Sequence, residues 1–218
     1  MNTVIYFLLT IGYVVLLIWG LVLSRKNVFS LTNVLLLVIL ALIYDNFIIA
    51  IGRYIGAGNL LEQLSYPHYW LHALFTPTLI LFAWSICSKL NLAWAKKSIW
   101  KILFSLLTLA LILYELFTSV MGLRLKTKEE RDVLTYESVE AASPVMVILV
   151  IIVLLLVGII LMRKLHFKWL FVGTIVSIIG NLLAIWIKTF PLMNIIEFLL
   201  IFSLVITKHF QVKITVKA

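Results

Sequence analysis

Four side chains that could take part in acid–base chemistry lie inside apolar stretches of the chain, namely Asp45, His72, Glu115 and Glu197. A charged group at the centre of a membrane helix costs about 2.5–3.5 kcal/mol on insertion scales, so such positions indicate function. Burial and mutual repulsion both disfavour an ionised carboxyl group, and we therefore expect at least one of these acids to be protonated at neutral pH. A protonated acid could donate a proton and His72 could accept one, which predicts catalytic roles for all four.

The depth of these groups can be estimated from the helical rise of 1.5 Å per residue. Asp45 and Glu115 each precede the next arginine by eight or nine residues, and Glu197 follows Lys188 by nine, which corresponds to about 12–13 Å in each case. The sequence therefore predicts one polar pocket that opens toward the outer face. Polar residues at or above the same depth are predicted to bind substrate, and the two cations could hold an anionic headgroup: Asn46, Arg53, Asn181, Lys188 and Asn194.

A histidine pair offers a second chemistry. His68 and His72 are four residues apart and so share one helix face, where both imidazoles could reach one divalent metal ion. A carboxylate from one of the three buried acids would complete the ligand set. The alternative is that both histidines are ordinary interfacial residues, and a spacing of four alone favours that interpretation. No other cofactor is predicted.

Composition excludes a soluble domain. The chain has 218 residues, of which 64% are hydrophobic and 12% charged, whereas soluble proteins average about half and a quarter. The net charge of +9 does not indicate a nucleic-acid partner, because the basic residues lie in short segments between apolar runs. Cys87 is the single cysteine, so no intrachain disulfide can form. The expected partners are membrane lipids and a hydrophobic small-molecule substrate, and the sequence carries no signal for an oligomeric state.

The apolar runs have the length that a membrane-spanning helix needs, about 20 residues. They predict an all-α, polytopic integral membrane protein with a single transmembrane domain over residues 1–218. Seven spans are expected, with an external loop at 123–143 between the fourth and fifth: about 3–23, 29–52, 68–87, 99–121, 144–162, 169–187 and 191–207.

The distribution of basic residues predicts the orientation. Twelve lysines and arginines would lie on one side of the seven spans: Arg25, Lys26, Lys89, Lys96, Lys97, Lys101, Arg163, Lys164, Lys168, Lys208, Lys213 and Lys217. Six would lie on the other: Arg53, Arg124, Lys126, Lys128, Arg131 and Lys188. The positive-inside rule then places the N-terminus outside and the C-terminus in the cytoplasm, in the plasma membrane.

Prolines and polarity refine the predicted elements. Pro67, Pro144 and Pro191 are each expected to open a helix, since proline is favoured at the first helical position. Pro77 should break or bend the third span. The fifth span carries no ionisable group and should face lipid, as should most of the first. The pocket would then be enclosed by spans 2, 3, 4, 6 and 7.

Three functions remain open on these residues. The first is a membrane-embedded enzyme that performs acid–base or metal-assisted chemistry on a lipid or isoprenoid, with Glu115 or Glu197 as proton donor and Asp45 with His72 as base. The second is a small proton-coupled transporter, although the inner halves of the spans carry few polar residues. The third is a non-catalytic partner or sensor that binds another protein through the 123–143 loop.

Overall fold

Runs of Leu, Ile and Val form helices because a helix satisfies its own backbone hydrogen bonds where no water is available. The computed structural model describes residues 1–25, 27–140, 143–184, 186–187 and 191–217. The helices in this part of the chain are α1 (Asn2–Ser24), α2 (Val34–Ile55), α3 (Asn59–Phe75), α4 (Leu79–Lys89), α5 (Ser98–Glu115), α6 (Val145–Leu165), α7 (Trp169–Ala184) and α8 (Leu192–Lys217).

Six helical segments are long and apolar enough to cross a membrane: Asn2–Ser24, Leu31–Ile55, Asn59–Lys89, Ser98–Val120, Val145–Leu165 and Leu192–Thr215. The helix α7, with 16 residues, is apolar but shorter. The chain therefore has the helices of a multi-pass membrane protein.

The third long segment consists of α3 and α4 joined by a 3₁₀ turn at Thr76–Thr78, which contains Pro77. The break at Pro77 is the one expected from its missing N–H. The prediction that Pro67 opens the helix is wrong, because α3 begins eight residues earlier, at Asn59. The extra turns are stabilised by Leu61, which is completely buried. The third helix is therefore longer at its outer end than its hydropathy indicates.

The other two prolines behave as expected, since Pro144 is the N-cap of α6 and Pro191 directly precedes α8. The end of the last helix differs from the prediction, because α8 continues to Lys217 instead of ending near 207. Lys208 is buried, and its ammonium group donates to Oγ of Ser24 (2.6 Å) and to Oδ1 of Asn33 (2.7 Å). Hydropathy treats such a residue as the end of a span, whereas here it joins α8 to α1 and to the start of α2.

The predicted loop at 123–143 contains a β-hairpin. Strands β1 (Leu125–Glu130) and β2 (Val133–Ser138) are antiparallel, with Leu125 opposite Ser138 and Glu130 opposite Val133. The two-residue turn between them has Arg131 at a φ of 56°. Before the hairpin, α5 ends in a π-helical turn at Leu116–Val120.

The packing core follows α4, in which every residue from Phe82 to Cys87 is buried. The fifth span, predicted to face lipid, packs against protein along one face and leaves its other side exposed. The helix α6 packs between α4 and α7 and buries one face, formed by Met146, Val150, Leu154, Val157 and Leu161. A helix that is apolar on every side does not reveal which side faces protein, so its composition could not predict this.

Candidate functional site

An aspartate and a histidine form a short polar contact between α2 and α3 in the half of the bundle that carries the hairpin. Oδ1 of Asp45, in the middle of α2, lies 2.7 Å from Nδ1 of His68 in α3. The Asp45 side chain is 13% exposed and that of His68 is 38% exposed, so the pair is shielded but reachable. When the ring is neutral and Nδ1 donates to the carboxylate, the lone pair of His68 lies on Nε2, which can then accept a proton.

The pair lies beneath a cavity of about 680 Å³ at the hairpin end of the bundle, here called the vestibule. The hairpin lies over this cavity, and the neighbouring helix ends form its sides and base. The hairpin contributes Lys128, Glu130, Val133, Thr135 and Glu137, and the helices contribute Asn2, Tyr6, Tyr44, Ser65 and Tyr69 among others. The vestibule is thus lined by charged and tyrosine side chains together with apolar ones, and it is more polar than the deeper cavity described next.

A second cavity of about 300 Å³, here called the chamber, lies deeper between the helices. Most of its wall is apolar, with Val38 and Leu42 from α2, Leu71 and Phe75 from α3, Val147, Val150 and Ile151 from α6, and Leu200 and Ile201 from α8. Its polar side chains are His72, Thr76, Ser177, Asn181 and Glu197, in addition to those it shares with the vestibule.

Four residues line both cavities, namely Asp45, His68, Met193 and Asn194. The Asp45–His68 pair therefore stands where the polar space meets the apolar one. A molecule that extends from one cavity into the other would pass these four side chains.

Several residues predicted from the sequence are brought together in the chamber. Asp45, His72, Asn181, Asn194 and Glu197 all line it. The rings of His68 and His72 have their centroids 6.0 Å apart. The amide of Asn181 donates to the carbonyl of Ser177 at 2.8 Å, which holds the side chain against its own helix.

Glu115 does not belong to this group. It is buried at the end of α5, where Oγ of Ser119 donates to its Oε1 at 2.8 Å, and it lines neither the vestibule nor the chamber. Within the described residues its Oε2 has no hydrogen-bond partner. The predicted enclosure of the pocket is corrected accordingly, because α6 rather than α5 provides the fifth wall.

Two predicted substrate-binding residues also lie elsewhere, and a third lies outside the described residues. Asn46 is completely buried and lines neither cavity, with its amide donating to the carbonyl of Leu42 at 2.8 Å. Arg53 is exposed, and its guanidinium donates to the carbonyl of Arg131 at 3.1 Å, so it holds the hairpin and does not line either cavity. Lys188 lies outside the described residues.

The hairpin is attached to the helix ends by specific contacts. Asp132, in its turn, accepts from the amino group of Met1 and from the backbone N–H groups of Asn2 (3.0 Å) and Thr3 (3.1 Å), and so caps the start of α1. The amino group of Met1 and the two N–H groups hold the pKa of Asp132 well below its ordinary value, because each stabilises the ionised carboxylate.

Further contacts fix the two strands over α2 and α3. The hydroxyl of Tyr69 accepts from the backbone N–H of Ser138 at 2.7 Å, and the hydroxyl of Tyr136 accepts from that of Gly58 at 3.1 Å. At Gly52, a Cβ atom would lie 2.0 Å from the carbonyl oxygen of Leu134. Only glycine at position 52 allows β2 to lie so close to α2.

On its inner face the hairpin carries a small ion-pair network. Glu137 accepts from Lys128 at 2.9 Å and lies 3.6 Å from Lys126. Lys128 and Glu137 both line the vestibule. Their charges largely compensate each other, so this part of the cover is polar without a strong field of one sign.

The sequence did not predict His68 as the partner of Asp45. With the helix expected to begin at Pro67, His68 appeared to lie at the headgroup level. Because α3 begins at Asn59, His68 lies nine residues inside the helix, about 13 Å from its start. The signal that could have revealed this is the helical spacing of Leu60, Leu61 and Leu64 after Gly58.

The divalent metal at His68 and His72 stays a prediction. Within the described residues, no group of three or more His, Cys, Asp or Glu side chains has the arrangement of a metal site. The nitrogen of His68 that faces Asp45 is already engaged in the ion pair.

Comparison of the chain with protein-family models, with curated proteins and with solved structures finds no match in any of the three. The argument for function therefore depends on the geometry of the site.

Proposed function

We propose that this protein is a membrane-embedded enzyme that performs acid–base chemistry on a lipid or isoprenoid substrate reaching it from the outer leaflet of the plasma membrane. The observation that carries the proposal is the Asp45–His68 pair at the junction of the vestibule and the chamber. A carboxylate bonded to Nδ1 of histidine orients the ring and stabilises the imidazolium that forms when Nε2 takes a proton.

The roles of the side chains differ from those expected from the sequence alone. His68, oriented by Asp45, is the general base in place of His72. Glu197 is the proton donor, since it lines the chamber three residues beyond Asn194, whereas Glu115 lines neither cavity. His72 lies one helical turn beyond His68, and in this proposal it can exchange a proton with His68 or with Glu197. Asn194 offers a hydrogen bond to a substrate oxygen at the junction.

The proposal includes seven membrane crossings, with the N-terminus outside. Two observations support this orientation. The end of the bundle that carries the hairpin contains the vestibule and most of the acids, and the opposite end contains the larger number of lysines and arginines. The vestibule then opens to the extracellular side, and the chamber lies in the outer half of the hydrocarbon layer.

A transporter is less well supported by the shape of the chamber. Its inner end is formed by Val38, Leu79 and Ile201, all of which are buried against the packing core. A transport path would require polar groups that continue past this point. A partner protein bound by the hairpin is also less well supported, because the face of the hairpin that carries Glu137 turns inward to line the vestibule.

The experiment compares the wild-type protein with Asp45→Asn and His68→Gln. Each purified protein is incubated in nanodiscs with a total lipid extract of host membranes, and the lipids are followed by mass spectrometry. We expect the wild type to convert at least one lipid species, and each variant to do so about 100-fold more slowly or worse, the usual contribution of a general base.

His209→Gln is the matched control, because His209 lies near the other end of the bundle beside Trp19 and should keep full activity. Conversion by the His68→Gln variant at the wild-type rate would overturn the proposal. So would the absence of any converted species with the wild type, combined with proton-coupled uptake by proteoliposomes.

A further inference from the structure

The two ends of the chamber differ in polarity. Polar side chains lie at the end next to the vestibule, and mainly apolar side chains line the other end. Asp45, His68 and Asn194 stand at its junction with the vestibule. Glu197 is three residues beyond Asn194 and His72 four residues beyond His68, which places both about 5–6 Å deeper along their helices. Beyond Glu197 and His72 most of the wall is formed by apolar side chains, with Thr76 and Ser177 as its polar members.

The depth of the chamber follows from two helices independently. On α2, Val38 lies seven residues inward from Asp45, and on α8, Ile201 lies seven residues inward from Asn194. At 1.5 Å per residue, each gives about 10 Å from junction to floor. Val38, Ile201 and Leu79 at the floor are all less than 5% exposed, so the chamber is closed below them.

The volume agrees with this depth. A water molecule occupies about 30 Å³ in the liquid and a methylene group has a similar size, so 300 Å³ accommodates about ten such groups. One chain of about ten carbons fits. The two long chains of a diacyl lipid do not, and a single chain much longer than ten carbons would have to leave the chamber.

We propose that the chamber binds one hydrocarbon chain of about ten carbons, belonging to a single-chain amphiphile whose polar headgroup lies at Asp45 and His68 and whose chain points inward. This inference rests on the proposed function for the site that it deepens. The headgroup is then beside His68, and His72 and Glu197 flank the first few carbons of the chain. Chemistry would occur at or next to the bond between headgroup and chain.

The test measures binding, so it does not depend on turnover. The protein in nanodiscs is exposed to an equimolar series of primary alcohols from six to eighteen carbons, and native mass spectrometry records which alcohols remain bound. We expect occupancy to be greatest near ten carbons and to fall for longer chains, although partition into the bilayer itself increases with chain length.

Ala41 gives a variant that fills the chamber directly. Ala41 lines the chamber and is only partly buried, so Ala41→Phe adds a side chain into the cavity. We expect this variant to lower occupancy by decanol about tenfold, equivalent to losing two buried methylene groups, and to move the maximum to shorter chains. Ala41→Leu should produce a smaller shift. Ala110→Phe, at an exposed site on α5, is the matched control and should leave the series unchanged.

Occupancy that rises steadily to eighteen carbons would overturn the inference, as would a maximum that neither Ala41 variant moves. These outcomes are distinguishable from failure of the proposed function. A maximum near ten carbons together with turnover that survives His68→Gln would leave the chain-binding site and remove the assigned chemistry. If turnover depends on His68 but occupancy shows no maximum with chain length, the assigned chemistry would stand and the chain-binding site would be removed.

Discussion

Two buried glutamates show how differently the same side chain can be placed. Glu197 lines the chamber, whereas Glu115 lies at the end of α5 with one oxygen bonded by Ser119. Both were equal candidates in the sequence, since each lies about 13 Å from the nearest cation. Only Glu197 can reach a substrate beside Asp45 and His68. The position of each acid along its helix was therefore predictable from residue spacing, but the side of the bundle on which each acid lies was not.

The pair Glu115→Gln and Glu197→Gln tests this distinction. Glutamine keeps the size of glutamate but cannot act as a carboxylic acid, so Glu197→Gln should lower turnover by about 100-fold. Glu115→Gln should keep turnover within about twofold of wild type, because its amide can still accept from Ser119 and no substrate reaches it. Lipid conversion measured by mass spectrometry checks both, and equal losses in the two variants would contradict the placement of Glu115.

A second residue-scale prediction concerns Asn46. Its Oδ1 is buried and, among the described residues, has no hydrogen-bond partner, which is a destabilising arrangement. Asn46→Leu conserves volume and removes this unpaired atom, so we expect a change in unfolding free energy of less than about 1 kcal/mol and unchanged turnover. Thermal unfolding in detergent measures the stability. A large loss of turnover with an unchanged unfolding free energy would show that Asn46 does act at the site.

At the scale of elements, the hairpin is the feature that connects the outer ends of α1, α2 and α3. Its strands carry Thr127, Val133, Thr135 and Tyr136, all residues that favour β structure, but charged neighbours hide the alternation. The sequence could therefore predict an external segment of polar character and not its strands. The early start of α3 was not predicted for a related reason. The hairpin covers the first turns of α3, whereas a hydropathy average over these residues treats them as exposed to solvent.

Gly52 tests how the hairpin is seated. Gly52→Ala places a methyl group where the carbonyl of Leu134 lies, so β2 must move away from α2. We expect a destabilisation of about 1–3 kcal/mol, the usual range for overpacking, and faster amide hydrogen exchange over residues 125–138. The helices α6 to α8 should keep wild-type exchange rates. Unchanged exchange in the hairpin would show that the close approach at Gly52 does not hold it.

Asp132 gives the hairpin a predictable pH dependence. The lowered pKa of Asp132 in the docked hairpin means that its contacts with α1 contribute stability above about pH 4, where the carboxyl group of an undocked hairpin is also ionised. This stability is lost as the pH falls through the lowered pKa. We expect the protection of residues 125–138, measured relative to the intrinsic amide exchange rate at each pH, to fall at low pH in wild type and to be low already at neutral pH in Asp132→Asn.

Glu129→Gln on the same hairpin is the control for Asp132→Asn, because it removes one negative charge from an exposed site. It should leave exchange unchanged at neutral pH. If Asp132→Asn and Glu129→Gln behave alike, the effect comes from net charge and not from the cap on α1.

For the whole molecule, membrane orientation is the property that the sequence argues most directly, through the unequal numbers of basic residues. Cys87 is buried and should not react, so single cysteines can report on each side. In intact cells, a membrane-impermeant maleimide should label Lys128→Cys in the hairpin and not Lys96→Cys at the other end. Labelling of Lys96→Cys alone would show that the orientation is the opposite of the proposed one, with the vestibule open to the cytoplasm.

Across the described residues, the sequence was sufficient to predict the apolar helices and their approximate number. It was not sufficient for packing partners. The chamber has a wall from α6 and none from α5 because of the way in which the apolar faces of the helices pack against one another. Val, Leu and Ile are equally suited to lipid and to the protein core, so the sequence does not reveal these packing partners. Long-range pairs such as Asp45 with His68 therefore required the structure.

The most direct test of the Asp45–His68 assignment is a double-mutant cycle on lipid turnover. If Asp45 acts only by orienting His68 and stabilising its charged form, the Asp45→Asn, His68→Gln double variant should be no slower than His68→Gln alone. We predict this non-additive result, with all three variants at least about 100-fold slower than wild type. Losses that multiply in the double variant would contradict the account, because Asp45 and His68 would then act independently.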